Sequence, residues 1–355
     1  MIRHTGKPLL TTALSSALFA GAFAGPALAQ ELSEEHLNII GSASFMPLYA
    51  EREMPFWTQT LAEESDGLIT ADVRPFNEAG LNGTELLRLL QQGVADAATP
   101  ILGYLAADDP MCEAIDLAGI APDVASARAV SEAWAPVLDA HFAERNDARV
   151  LGVLAYPSQV LLCRDSFESL ADLEGRQVRT GNRSLAELME AFGASSVTMP
   201  IGDVIPALER GVVDCAITGS LTAYNQGWPE VVHYVSDLGL GWSQLATIVS
   251  EQSWVAMPEA NRDFIEAEYA EFVEEVWSQV DTETEVGFDC LTGRAECPLG
   301  EAADMTLVEA TDADRAMLSE MVALTVVPAW LERCGDGCAE AWNGAMAEIV
   351  GVSAE

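Results

Sequence analysis

Two side chains at the ends of expected strands, Arg179 and Thr218, have the types and spacing to recognise an anion. The stretch that carries them, Leu173 to Ser220, reads LEGRQVRTGNRSLAELMEAFGASSVTMPIGDVIPALERGVVDCAITGS. Arg176 to Arg179 reads as a strand, and the polar turn Thr180 to Arg183 leads from it into a helix. Ser184 and Glu187 are spaced as a capping box, and Leu185, Leu188, Met189 and Phe192 recur at helical spacing before Gly193. Ser196 to Met199 predicts a second strand, Asp203 to Arg210 a second helix stopped by Gly211, and Val212 to Thr218 a third strand. This β-α-β-α-β order predicts a parallel sheet with right-handed crossovers. Ligands of such sheets sit off the carboxyl ends of the strands, where Arg179 and Thr218 lie. A guanidinium presents a rigid fork of donors that matches a carboxylate bidentately, and a hydroxyl can donate to the same group.

A chain of 355 residues, half of them hydrophobic, is too long for one ordinary core and predicts two. Residues 1–29 read as a signal peptide: Arg3 and Lys7, an apolar run Leu9 to Ala24, and Ala27-Leu28-Ala29 as the cleavage site. The mature protein is therefore expected to be exported, cut after Ala29. Basic residues number 17 and acidic residues 56, and without Arg3 and Lys7 the basic count falls to 15. Such a field disfavours nucleic acid and anionic membrane surfaces as partners. Lys7 is the only lysine, so any anion site in the mature chain must be made by arginine.

Of seven cysteines, Cys290 and Cys297 sit close in one loop and Cys334 and Cys338 bracket Gly-Asp-Gly. Both pairs read as local disulfides, each stabilising by roughly 2–3 kcal/mol. The spacings do not suit zinc, and His36, His141 and His233 have no partners at catalytic or metal spacing, so no metal or cofactor is expected. Cys163 and Cys215 either pair across neighbouring strands or remain, with Cys112, as buried thiols. No nucleophile-and-base constellation is visible, which argues against an enzyme.

The flanking sequence must supply the other wall of a crevice. Leu37 to Gly41 and Leu68 to Val73 predict strands, with a helix Pro55 to Ser65 between them. Laid over the later half at an offset of 118 residues, Thr84 falls on Gly202, Leu90 on Leu208, Gly93 on Gly211 and Asp96 on Asp214. Two similarly built α/β domains are the expectation. The run Ile115 to Ile120, a helix Ala125 to Phe142 and a strand Arg149 to Leu154 complete the first half. Ala155 to Ser158 crosses to a strand Gln159 to Cys163, and Leu245 to Ser250 returns the chain to the first domain. Pro258 to Gly287 reads as one helix of roughly 45 Å, a strut across both domains, with the remainder packing beneath the second. The boundaries expected are 30–154 with 242–282 for domain I, and 155–241 with 283–355 for domain II. Strand ends and crossings add Ser42, Phe45, Thr99, Tyr104, Tyr156, Gln159, Tyr224 and Trp242 as ligand-binding candidates.

The order of these segments resembles a known family. Leu173-Glu-Gly-x-x-Val-Arg179, Gly193-Ala, Val197-x-Met-Pro200 and Ala207-Leu-x-x-Gly-Val-Val-Asp214 are similar to the signature of DctP-type solute-binding proteins of tripartite ATP-independent periplasmic (TRAP) transporters. The likeness extends through Gly83 to Asp96, Ser253-Trp254 and Met257-Pro258. It implies a two-domain periplasmic-binding-protein-like (Venus-flytrap) fold with the long helix spanning both domains. It also implies an organic acid held in the cleft by Arg179 and delivered in the periplasm to membrane permease subunits; a monomer is the separate expectation. Thr218 stands where the family commonly has asparagine, and Arg164 stands near a second ligand arginine of some members. The competing expectations are a binding protein of an ABC importer or sensor, or an exported enzyme on a similar scaffold.

Overall fold

The structure, a computed structural model, describes residues 1–2, 31–81 and 83–354. The expected signal peptide and its cleavage site lie outside the described residues, apart from Met1 and Ile2. From Leu32 onward the chain forms one compact unit built on two sheets.

The first sheet contains β1 (Glu35–Gly41), β2 (Ile69–Pro75), β3 (Ala97–Ala98), β4 (Ala148–Leu154) and β10 (Leu245–Ser250) in the order β2-β1-β3-β10-β4. The second contains β5 (Gln159–Cys163), β6 (Gln177–Thr180), β7 (Ser195–Thr198), β8 (Cys215–Gly219), β9 (Tyr234–Ser236) and β11 (Thr306–Val308). Read from the β7 edge, its order is β7-β6-β8-β5-β9-β11. Each sheet thus begins with three parallel strands whose middle member comes first in the chain, followed by an antiparallel strand. The antiparallel strand in each is the one that has just crossed over from the other sheet. The 118-residue offset is the sequence trace of this duplication in architecture: β3 and β8 are the strands that follow its two aligned glycines.

The crossings Ala155–Ser158 and Asp237–Gln244 are tied to each other. Gln159 N donates to Gly241 O at 2.8 Å, Leu240 N to Gln159 O at 2.8 Å, and Tyr156 N to Trp242 O at 3.1 Å. Asp116, fully enclosed, braces them by accepting from Trp242 N at 3.1 Å and Gln244 N at 3.2 Å. The run Ile115 to Ile120, which holds this one carboxylate, forms tight turns.

The long helix runs Glu259–Thr292, 34 residues and about 51 Å. Tyr269 and Phe272 pack on Phe56 under the first sheet, and the Trp277 indole donates to Val153 O at 3.0 Å. Farther along, Thr284 accepts from Ser158 N at 3.1 Å and, through its carbonyl, from Ser220 Oγ at 3.0 Å. One strut therefore holds β4, the crossing and the helix Ser220–Asn225. Gly287 makes the last contact possible, because a Cβ there would meet Leu221 N and Ser220 Oγ at 2.4 Å.

Residues beyond 310 depart from the expectation of packing under the second domain alone. Trp330 donates to Pro110 O at 2.7 Å and packs edge-on against Trp134 of the helix Val124–Asn146. Arg333 joins Glu113 at 2.7 Å to Glu187 at 2.6 Å. Burying three large indoles (Trp134, Trp330 and Trp342) outweighs any preference for one lobe. Among the described residues, no helix is long and apolar enough to cross a membrane.

Candidate functional site

At the carboxyl end of β6, alternation along the strand turns Arg179 inward to 4% exposure. Its Nε and Nη2 donate to Met199 O at 3.0 and 2.7 Å, and Nη1 donates to Ile217 O at 2.8 Å. Three of the five guanidinium N–H bonds thus anchor the side chain to the loop after β7 and to β8. One N–H on each of Nη1 and Nη2 is left over. Gly181 passes alongside, its Cβ position 3.7 Å from both terminal nitrogens. No carboxylate lies within ion-pair distance of Arg179 among the described residues, whereas Arg52 and Arg333, also largely buried, are each paired with glutamate. Burial lowers the Arg179 pKa from its ordinary value to about 10, so the group stays charged at neutral pH. The shift corresponds to roughly 3 kcal/mol against the isolated cation.

Arg179 lines a cavity of about 50 Å³ between the two sheets. Phe45, Met46, Ile101, Gly103 and Tyr104 contribute from the first half of the chain, and Tyr156, Gln159 and Ser243 from the crossings. Gly181, Asn182, Leu185, Ile201, Thr218 and Thr222 close the second side. Of the residues expected from sequence, Arg179, Thr218, Tyr156, Gln159, Phe45 and Tyr104 are brought together here.

Five expected residues are elsewhere. Arg164 donates to Leu208 O at 3.0 Å beside Gly211, so it fastens a helix end. Ser42 donates to Glu53 and Thr99 bonds Thr247 at 2.9 Å, both in the polar layer of the first lobe. Trp242 turns its indole to Ala121 O at 2.9 Å and supports the crossing. Tyr224 donates to Glu301 O at 2.9 Å and borders a separate surface depression with Arg52 and Glu283.

The capping box is also replaced. Asn182 caps the helix Arg183–Ala191 by accepting from Leu185 N at 2.9 Å, while Ser184 accepts from Ala118 N at 3.2 Å. Glu187 is drawn off by Arg333. Sequence reasoning missed Gly181 and Asn182 although they follow β6 directly, where a strand-end crevice must be. Thr222, in the first turn of the helix Ser220–Asn225 that follows β8, carried a similar signal. Ser243 carried none: its φ of +44° is set by the crossing and not by its residue type.

Cys163 and Cys215 form a disulfide across β5 and β8, joining the expected Cys290–Cys297 and Cys334–Cys338 bonds, and Cys112 is a buried free thiol. No group of three or more His, Cys, Asp or Glu side chains could hold a metal among the described residues.

Two α/β lobes of like topology, two crossings, a spanning helix and a cavity between the sheets define a periplasmic-binding-protein-like solute receptor. The chain belongs to the DctP family, bacterial extracellular solute-binding protein family 7, which matches residues 49–325. Among similar solved structures is DctP7 of Bordetella pertussis, an extracytoplasmic solute receptor binding pyroglutamic acid. It is 18% identical, with a TM-score of 0.75 over 88% of this chain and 99% of that one. A TRAP periplasmic solute-binding protein of Desulfovibrio salexigens with bound orotic acid is 19% identical, with a TM-score of 0.75 over 88% and 98%. The periplasmic ectoine-binding protein of the TeaABC TRAP transporter of Halomonas elongata is 17% identical, with a TM-score of 0.75 over 90% and 100%.

Proposed function

We propose that this protein is a monomeric periplasmic receptor, released by cleavage after Ala29, that captures a small organic carboxylate and hands it to the membrane permease of a TRAP transporter. The observation that carries the carboxylate is Arg179: a buried cation with no counter-ion among the described residues, in a chain of net charge −39, facing the cavity between the sheets. A cation left unpaired amid so many acidic residues is explained by an anion that arrives from outside. Solutes named for the similar solved structures, among them pyroglutamate, orotate and succinate, support the same class.

In this reading the carboxylate bridges the two spare N–H groups of Arg179, with the Thr218 hydroxyl beside it. Closing the lobes about the crossings shuts the solute from water and shifts the population toward the closed form. The receptor performs no bond chemistry. The test is a thermal-shift screen of organic acids, followed by calorimetry of the best acid against its primary amide. The reading expects the acid to bind and the amide to lose at least a hundredfold; equal binding of both would sink it.

A further inference from the structure

We propose that the cavity is built for a small solute whose only charge is the carboxylate it presents to Arg179, and that it rejects dicarboxylates and zwitterions. This rests on the carboxylate reading above and narrows it. Among the described residues lining the cavity, Arg179 is the sole charged side chain. The rest of the wall is apolar, as at Phe45, Ile101 and Leu185, or neutral and polar, as at Gln159. The chain has no lysine after residue 7. The other arginines in buried ion pairs are committed, Arg52 to Glu283 and Arg333 to Glu113 and Glu187. A second carboxylate on the solute would meet no cation, and an ammonium would meet no carboxylate on the cavity wall.

Space points the same way. The cavity of about 50 Å³ has room for only a few water molecules, each needing roughly 10–15 Å³. Once the lobes close on it, a solute filling the cavity could not bring a hydration shell for a second charge. An unpaired charge out of water is among the costliest groups to bury.

The polar feature suited to a neutral group is Tyr156, 3% exposed, whose hydroxyl lies close to Ser42 and Ala43 without a well-formed hydrogen bond to either. Nearby stands Glu53, wholly buried, with Oε2 accepting from Ser42 N at 2.7 Å and Oε1 unpartnered. Burial pushes the Glu53 carboxyl up, and the Tyr156 phenol is pushed up by burial and by Glu53. A further carboxylate would sit beside a carboxyl at which burial already disfavours negative charge. A carbonyl or amide would instead gain the Tyr156 hydroxyl as partner.

The experiment is calorimetry of the mature chain at neutral pH against mono- and dicarboxylates of two to six carbons, α-amino acids, and pyroglutamate with its carbocyclic analogue cyclopentanecarboxylate. The tightest solute should carry one carboxylate and no other charge, with each dicarboxylate or zwitterion of matched length at least a hundredfold weaker. Tyr156→Phe should cost pyroglutamate about tenfold and cyclopentanecarboxylate less than twofold. Gln159→Lys, which puts a second cation on the wall, should raise dicarboxylate affinity at least tenfold. A dicarboxylate or amino acid binding as tightly as the best singly charged acid overturns the inference while leaving carboxylate capture intact. Binding of no acid at all, or of acids and their amides alike, overturns both.

Discussion

Replacing Arg179 with methionine removes the charge while keeping much of the side chain's length, and its two consequences are separable. The spare N–H groups on Nη1 and Nη2 would each make a charge-assisted hydrogen bond to a carboxylate, worth about 1.5–3 kcal/mol apiece. Their loss should weaken binding by roughly 3–6 kcal/mol, or two to four powers of ten in Kd. The unliganded protein should respond differently. Removing a cation that burial disfavours by roughly 3 kcal/mol relieves the fold, but Met199 O and Ile217 O lose their donors at about 1–3 kcal/mol each. These terms oppose one another, so the melting temperature without ligand should move by only a few degrees. Calorimetry with the best acid from the screen measures the first effect, and thermal unfolding without ligand measures the second. A folded Arg179→Met variant that binds the acid within threefold of wild type would refute the reasoning.

Burial pushes the Asp116 carboxyl up from 3.8 to about 7. The folded chain therefore holds this proton more tightly than the unfolded chain, so its contribution to stability is whole below about pH 4 and is lost as pH rises through about 7. Between pH 5 and 8 the loss from this group should be roughly 2–3 kcal/mol; Asp116→Asn should flatten that part of the profile, and an unchanged pH slope in urea unfolding would contradict it. Gly287→Ala should destabilise by about 1–3 kcal/mol by forcing the long helix off the Ser220–Asn225 backbone, measured as a shift in denaturation midpoint, with a neutral result counting against that crossing. Cys163 and Cys215 are 52 residues apart, and Cys290 and Cys297 only 7. Serine replacement of the first pair should cost about 4 kcal/mol and of the second about 2.4 kcal/mol, and the reverse ranking would contradict the assignment.

Much of this architecture was readable because it follows from short-range rules. The alternation Gln177-Val-Arg179 and the Gly211-Val-Val-Asp214 turn placed β6 and β8, and with them Arg179 and Thr218. The repeated helix-Gly-strand pattern foretold two sheets of like order. The misplaced residues lie where long-range partners decide. Ser184 has a capping residue's chemistry, but Asn182 stands two positions earlier and Ala118 N claims the serine. Trp242 and Tyr224 have side chains suited to a cleft, yet carbonyls at Ala121 and Glu301 turn them away. No local pattern tells that Trp330 will seek Trp134 across nearly two hundred residues.

The most direct measurement is a crystal structure of the mature protein with its best-binding acid. The account predicts one carboxylate about 2.7–2.9 Å from Nη1 and Nη2 of Arg179, with Met199 O and Ile217 O still holding the guanidinium from the other sides. An acid bound between the lobes with its carboxylate on any other group, and Arg179 left unpaired, would contradict it.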